Sequence, residues 1–318
     1  MNDRDAAVTA VVVTYNSADT IGALLDSLAQ GTVVPRVVVV DNGSMDRTLE
    51  LASARAGVEV IATGANLGYS GGINVGLRRV ADGDDVLILN PDLTVSPAMV
   101  ERMRDELADP TVGIVAPLLR DAGTGRRYHS LRRDPSPLRA LGDAVLGERW
   151  PTRPAALAET MRRDAEYAAA HDVAWAGGAA LLISARCRRQ VGDWDAATYF
   201  LYAEETDYAE RARAHGLRVR FTPRAEARHV GSGSGQPAAL VALVSVNRVR
   251  CYARRHGAVR TALFRGAIAA QHLLRLRDAR HRSALPVVLD RRRWAALPAG
   301  DAVPDHLTIP PAEARPTA

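Results

Sequence analysis

Along the first hundred positions the apolar residues fall into short, continuous, β-branched runs at Val8–Val13, Arg36–Val40, Val58–Ala62 and Asp85–Leu89. Runs without polar alternation predict parallel strands covered on both faces. The spacing of Ile21, Leu24, Leu25 and Leu28 after Ser17 predicts a helix, Ser44 caps a second, and a third runs from about Gly72 to Val80. Strand and helix in alternation predict a right-handed, mostly parallel α/β sheet of the nucleotide-binding type.

Further on, the pattern predicts a helix over Ala98–Leu107 and a strand over Val112–Ala116. Residues 120–172 are rich in Arg, Pro and Ala and weakly periodic, so an irregular excursion with a helix near 155–169 is expected. Order returns in the apolar run Ala174–Ile183. A helix after Tyr199-Phe200-Leu201-Tyr202 runs to about His215 and stops at Gly216, and a strand follows at Leu217–Phe221. From about Pro237 to Arg282, apolar residues and arginines recur at helical intervals, predicting two amphipathic helices. The proline-rich end, 298–318, reads as disordered.

Ligands of open parallel sheets bind beyond the carboxyl ends of the strands. Those positions here are Thr14-Tyr15-Asn16, Asp41-Asn42-Gly43-Ser44, Asn66 to Asn74 (with Gly68, Gly71 and Gly72), and Asn90-Pro91-Asp92. Any one of these is explained equally well as a set of turn formers. Four in succession on one sheet edge point to a ligand. The position after the first strand reads TYNSAD rather than GxGxxG, which disfavours a dinucleotide-dependent dehydrogenase. Asp41 suits a ribose or a base N–H, and the glycines after Asn66 allow backbone N–H groups close to a phosphate. Asp92 offers a hard oxygen to Mg2+ or Mn2+. The set describes a nucleoside-diphosphate site with a metal.

Composition removes competitors. All 41 cationic residues are arginine. A Walker A loop, a protein-kinase ATP site and a pyridoxal Schiff base each require lysine, so all three are excluded. Two cysteines, Cys187 and Cys251, make neither a disulfide framework nor a zinc site. The N-terminal apolar run is too short for a signal peptide, and no stretch reaches the length of a membrane span. A cytoplasmic chain, soluble or peripheral on the inner face of the membrane, is the expectation.

The motifs VVVTYN, VVVVDNGS, NLGYSGGINVG, LILNPDL, AWAGGAALLI and FLYAEETDYAERARAHG occur in order between about residues 8 and 235. Together they resemble a family 2 glycosyltransferase of GT-A fold, nearest to bacterial rhamnosyltransferases acting on lipid-linked cell-wall or polysaccharide precursors. AVLGERWPTRP resembles the same subgroup. The resemblance implies a catalytic domain over 1–236, with its nucleotide part at about 8–118 and its acceptor part at about 119–236. A basic helical region, 237–297, and the tail follow. It implies donor contacts from Thr14, Tyr15, Asn16, Asp41, Asn42, Asn66, Gly68, Gly71, Gly72, Asn74, Asn90 and Asp92. Asp92 would be the metal ligand, with an amide where the common D-x-D form has its first acid, and His229 would complete the metal shell. Glu204-Glu205-Thr206-Asp207 matches the family's E-D-x-D, so Glu205, one methylene longer than the usual aspartate, falls at the general base. Trp175, Gly177, Gly178, Glu204 and Asp207 fall in the acceptor site. As a structural alternative, Glu204, Glu205 and Asp207 only satisfy a helix dipole, Trp175 and Trp194 are core residues, and Gly231–Gly235 is a plain linker rather than a loop closing over the donor.

What this implies is an inverting, metal-dependent transferase using a dTDP- or UDP-sugar, dTDP-rhamnose first, and a glycan or polyprenyl-diphosphate-linked acceptor. A sugar nucleotidyltransferase and a non-catalytic nucleotide-sugar-binding homologue remain the alternatives. Charge adds one expectation. Residues 238–293 carry 13 Arg against Asp278 and Asp290, a net of +11, whereas the first 237 residues sum to −4. With no recognisable nucleic-acid module, the basic helices are expected to meet an anionic membrane rather than nucleic acid, a solvated helix face being the plain alternative.

Overall fold

A computed structural model describes residues 7–230 and 237–301. The predicted strands β1 (Val8–Thr14), β2 (Arg36–Asp41), β3 (Val58–Ala62) and β4 (Asp85–Leu89) form, and they pair in parallel in the order β3-β2-β1-β4. Helices α1 (Ile21–Ala29), α2 (Thr48–Ser53) and α3 (Gly68–Leu77) connect them. Beyond β4 come β5 (Leu93–Val95), α4 (Met99–Leu107), β6 (Val112–Asp121) and β7 (Leu131–Arg132).

The excursion differs from expectation. Its helix is α5 (Pro137–Val145), while 155–169 holds only the short 3-10 turns Ala155–Leu157 and Asp164–Tyr167. Ser136 explains the first part, since its side chain accepts from the Arg139 amide with Pro137 in the first helical turn. Glu166 explains the second. Its carboxylate accepts from the amides of Arg162 and Arg163, both at 2.9 Å, closing the turn on itself.

The run Ala174–Ile183 is broken at Gly177-Gly178. After β8 (His171–Val173), β9 (Trp175–Ala176) pairs with β7 as a separate ribbon. β10 (Ala180–Ile183) then enters the main sheet antiparallel, between β4 and β6. Next come α6 (Ala185–Val191), α7 (Glu204–Ala214) and β11 (Arg218–His229). β11 runs past the predicted end at Phe221, with a register shift between Thr222 and Glu226. Its second half pairs with β5 and so completes the order β3-β2-β1-β4-β10-β6-β11-β5.

Strand alternation builds a core on each face. Val11, Val13, Val38, Val40 and Ile88 face α3, α6 and α7, whereas Ala10, Val12, Val39, Leu87 and Leu89 face α1 and α4. Each Leu or Met so buried contributes roughly 1.5–3 kcal/mol. Cys187 lies in this core, where burial pushes its thiol up to about 12, so it is not a nucleophile.

The basic region forms three helices rather than two: α8 (Ala238–Ala253), α9 (Ala258–Leu273) and α10 (Ala279–Leu289). Gly257 separates the first pair, and the Asp278 side chain caps the third. Of the proline-rich end, residues 298–301 lie against the loop before α3, and the remainder lies outside the described residues, as does the Gly-Ser run 231–235. Among the described residues no helix is long and apolar enough to cross a membrane.

Close packing of α3 on β1 rests on two glycines. A Cβ on Gly72 would stand 2.6 Å from Val13 Cγ1, and one on Gly76 would run into Val11 Cγ1. Gly76→Val is therefore expected to cost about 1–3 kcal/mol. A thermal midpoint equal to that of the parent would refute this contact.

Candidate active site

The sheet edge carries the donor-side residues as an interlocked set. Asp41 is buried, and its Oδ1 accepts from Thr14 Oγ1 (3.0 Å) and Ser44 Oγ (2.6 Å), while Oδ2 accepts the Ser44 amide (3.0 Å). Asn16 sits at φ 51°, its Oδ1 accepting from the Met45 amide (2.8 Å). Asn42 donates to the Gly68 carbonyl (2.8 Å), and its Oδ1 is buried without a partner. Tyr15 lies exposed at the rim.

The loop before α3 is shaped by contacts that the sequence does not reveal. Gly68 has φ 75°, and a side chain there would meet the Phe200 carbonyl. A Cβ on Gly71 would stand 2.8 Å from the Leu67 Cβ. With Gly72 against Val13, all three glycines thus have packing duties in addition to any approach to phosphate. Asn66 accepts the Gly68 amide on Oδ1 (3.0 Å), while its backbone exchanges two 2.8 Å hydrogen bonds with Asp301 at the far end of the chain. Asn74 spends both ends of its amide on the Trp194 backbone, at 2.8 and 2.9 Å. Trp194 is a core residue stacked on Tyr208 with ring centroids 4.5 Å apart.

Asp92 and His229 are brought together by strand register. β5 starts at Leu93, which pairs with His229, so the residue before β5 lies beside the end of β11. Asp92 Oδ1 and His229 Nε2 stand 3.1 Å apart, and both atoms are buried without a hydrogen-bond partner. An oxygen and an imidazole nitrogen left facing each other in this way are a donor set that fits a divalent cation. Among the described residues no group of three or more His, Cys, Asp or Glu is arranged to hold an ion. Asn90, two residues earlier, donates its backbone N–H to the Ala179 carbonyl at 2.8 Å and ties this edge to the Gly177-Gly178 break.

The acids that open α7 form the second centre. Glu204 is buried and its Oε2 has no partner. Burial, and then the charge of Glu205, push its carboxyl well above the usual range. Glu205 is also raised by burial, against the opposing pull of backbone amides and the Arg132 guanidinium. Of the two, Glu204 is buried and Glu205 half-buried. Gly178 lies against Glu205, since a Cβ there would be 3.6 Å from the Glu205 Cβ, and the Gly178 carbonyl accepts from the Tyr69 hydroxyl (3.1 Å). Burial, and then the charges of Glu204, Glu205 and Asp92, hold the Tyr69 phenol well above the ordinary value.

Backbone strain aims this turn. Tyr202 and Ala203, immediately before α7, both have φ 70°, a conformation costly for residues with a side chain. Asn247 on α8 holds them, donating from its amide to the carbonyls of Leu201 (2.9 Å) and Tyr202 (3.2 Å). Asp207 is placed apart from this cluster: its carboxylate takes Arg211 and Arg254, each at 2.8 Å, and ties α7 to α8. Gly177 donates to the Ser130 carbonyl (2.9 Å), and half-buried Trp175 lies under Arg132, 5.4 Å from the ring centre. Tyr69, Arg132 and Asn247 were not singled out in the sequence. Tyr69 was legible in part, as the aromatic inside NLGYSGG.

A model of "Glycosyl transferase family 2" matches residues 9–166. The N-acetylglucosaminyl-diphospho-decaprenol L-rhamnosyltransferase of Mycobacterium tuberculosis is 32% identical over 292 residues, covering 86% of this chain and 94% of that protein. The chain belongs to glycosyltransferase family 2. A low-salt glycan biosynthesis hexosyltransferase of Haloferax volcanii is 26% identical over 218 residues, 66% of this chain and 62% of that one. Among solved structures, a Pyrobaculum calidifontis mannosyltransferase in complex with GDP-Man and Mn2+ superposes with TM-score 0.54 at 21% identity, covering 92% of this chain and 78% of that one. GalNAc-T7 with UDP, GalNAc and Mn2+ superposes at TM-score 0.55 and 14% identity, over 78% and 51% of the two chains. The fold of this glycosyltransferase is GT-A.

Because Glu204 is raised in the folded state, the unfolded chain releases that proton first as pH climbs through the ordinary value of 4.5. Stability from this group is therefore lost with rising pH. Glu204→Gln should unfold at a higher temperature than the parent at pH 8, with the gap closing towards pH 4. A gap constant over that range would contradict the buried, raised carboxyl.

Proposed function

We propose that this glycosyltransferase moves a deoxysugar, L-rhamnose from dTDP-rhamnose in the first instance and a UDP-sugar as the nearest alternative, to a hydroxyl of a glycan carried on polyprenyl diphosphate, inverting the anomeric centre. The observation that carries the reading is a pair of centres at the carboxyl edge of the sheet: Asp92 and His229, 3.1 Å apart, and Glu204 and Glu205 at the start of α7 beside Gly178. The mycobacterial relative, named for rhamnosyl transfer to a lipid diphosphate, supports the donor and acceptor classes.

Asp92 and His229 would hold Mg2+ or Mn2+, which when bound supplies positive charge to the departing nucleoside diphosphate. Asp41, Thr14, Tyr15, Asn16 and Asn42 line the nucleotide side, while the Asn66 loop with Gly68, Gly71, Gly72 and Asn74, together with Asn90, shapes the wall nearer the sugar. On the acceptor side, Glu205 accepts the proton of the attacking hydroxyl while its oxygen bonds to the anomeric carbon and the bond to the diphosphate oxygen breaks. Glu204, whose carboxyl burial pushes well above the usual range, stands beside that base as the weaker acid of the two. Trp175, Gly177 and Gly178 border the space for the acceptor, and Asp207 fixes the helix that carries the base. Working on such an acceptor, the chain operates on the cytoplasmic side of the membrane as a peripheral protein.

Three measurements test this. In a panel of dTDP-, UDP- and GDP-sugars, dTDP-rhamnose should give the fastest transfer, and turnover should rise with pH through the raised Glu205 value. Asp92→Ala should lower kcat by about 10²-fold or more. Full activity in Asp92→Ala, or transfer from none of the nucleotide sugars, would overturn the reading.

A further inference from the structure

Two groups of arginines stand on and around the C-terminal helices. Those on α8 and just after it are used inside the molecule. Arg248 pairs with Glu159 (2.7 Å), Arg254 with Asp207 (2.8 Å) and Asp195, and Arg255 with Glu210 (3.0 Å). They neutralise acids of the catalytic part and fasten α8 to it. Arg149, Arg260, Arg277 and Arg282 instead are exposed, and among the described residues Arg260, Arg277 and Arg282 have no ion pair.

Two helices near this second group turn apolar side chains outward. On α5 the face formed by Leu138, Leu141 and Val145 is 53, 43 and 49% exposed, and Trp150 beyond it is 47% exposed. On α9, Val259, Leu263, Leu273 and Leu274 recur at helical spacing along one side and are 76, 60, 58 and 60% exposed. Helices of a soluble protein bury such stripes. These two pack on each other, and Arg275, at the end of α9, donates to the Ala144 carbonyl of α5 (3.2 Å). Leu274 and Leu276 are thereby held close to the C-terminal end of α5. The exposed arginines interleave with the stripe in sequence, Arg149 beside Trp150, Arg260 beside Val259, and Arg277 beside Leu276.

We propose that the α5–α9 face is a docking surface for an anionic lipid bilayer, with the leucines and Trp150 entering the headgroup boundary and the arginines meeting lipid phosphates. Apolar side chains ringed by cations are the surface that an anionic interface selects. A second copy of this chain fits less well, because it would set the unpaired arginines of one copy against those of the other. The proposal deepens the reading that transfer occurs on a lipid-linked acceptor, and it identifies α5, which lies within the catalytic part, as half of the membrane face.

The test is flotation of the full chain with phosphatidylcholine vesicles, with and without phosphatidylglycerol. The parent should bind the anionic vesicles and lose them with added salt. Leu138→Glu/Leu141→Glu/Leu274→Glu and, separately, Arg277→Glu/Arg282→Glu should each weaken binding by about tenfold or more. Both variants should keep the parent's thermal midpoint and its turnover of a short-chain, water-soluble acceptor. Indifference of the parent to phosphatidylglycerol, undiminished binding by both variants, or a stable dimer in sedimentation that the leucine variant dissociates would each overturn the proposal. Vesicle binding without transfer to any polyprenyl-diphosphate acceptor would sink the acceptor reading and leave the docking surface standing.

Discussion

Two adjacent acids at the start of one helix, Glu204 buried and Glu205 half-buried, are the constraint around which this molecule is arranged. Burying Glu204 without a partner is unfavourable, and so is holding Tyr202 and Ala203 at positive φ. Neighbouring structure must over-determine such a turn. The Asn247 amide does so from α8, and the Gly177-Gly178 break lets the chain pass close to Glu205 without a side chain between. The C-terminal helices, which look like an appendage by composition, are therefore part of the frame of the site.

The same economy of position appears at Asp92 and His229. β5 is only three residues long, yet its pairing with the far end of β11 fixes which two side chains meet. That pairing brings an acid after the fourth strand and a histidine near residue 230 to 3.1 Å. Charge follows a related logic. The acidic balance of the catalytic part and the basic balance of the helices are partly two sides of the same contacts, through Arg248, Arg254 and Arg255. Only the arginines left over give the surface its field.

Much of this was legible in the sequence. The first four strands stand within a residue or so of the apolar runs, because fully buried parallel strands write continuous β-branched stretches. The strand ends where the candidate site residues stand were legible for the same reason. What escaped was set by contacts distant in the chain. β5 is too short to leave a pattern, whereas α5 does carry a signal, the Ser136 cap with Pro137 and the Leu138, Leu141, Val145 spacing, set in a stretch that is otherwise weakly periodic. The helix expected at 155–169 gave way to side-chain capping by Glu166. The glycines after Asn66 read as phosphate-binding, whereas their neighbours Val13, Leu67 and Phe200 show a packing need that no single sequence displays. Arg132 was lost among 41 arginines, and Asn247 carries no motif.

The central claim is that Glu205, raised by burial, takes the acceptor proton. Its most direct test is the turnover of Glu205→Gln beside that of Glu204→Gln, with donor affinity measured for both. The account predicts that both bind the nucleotide sugar like the parent. Glu205→Gln should lose about 10²–10⁴-fold in kcat together with the acid limb of the pH profile, and Glu204→Gln should retain both. Parent-like turnover in Glu205→Gln, with its pH profile intact, would contradict the account.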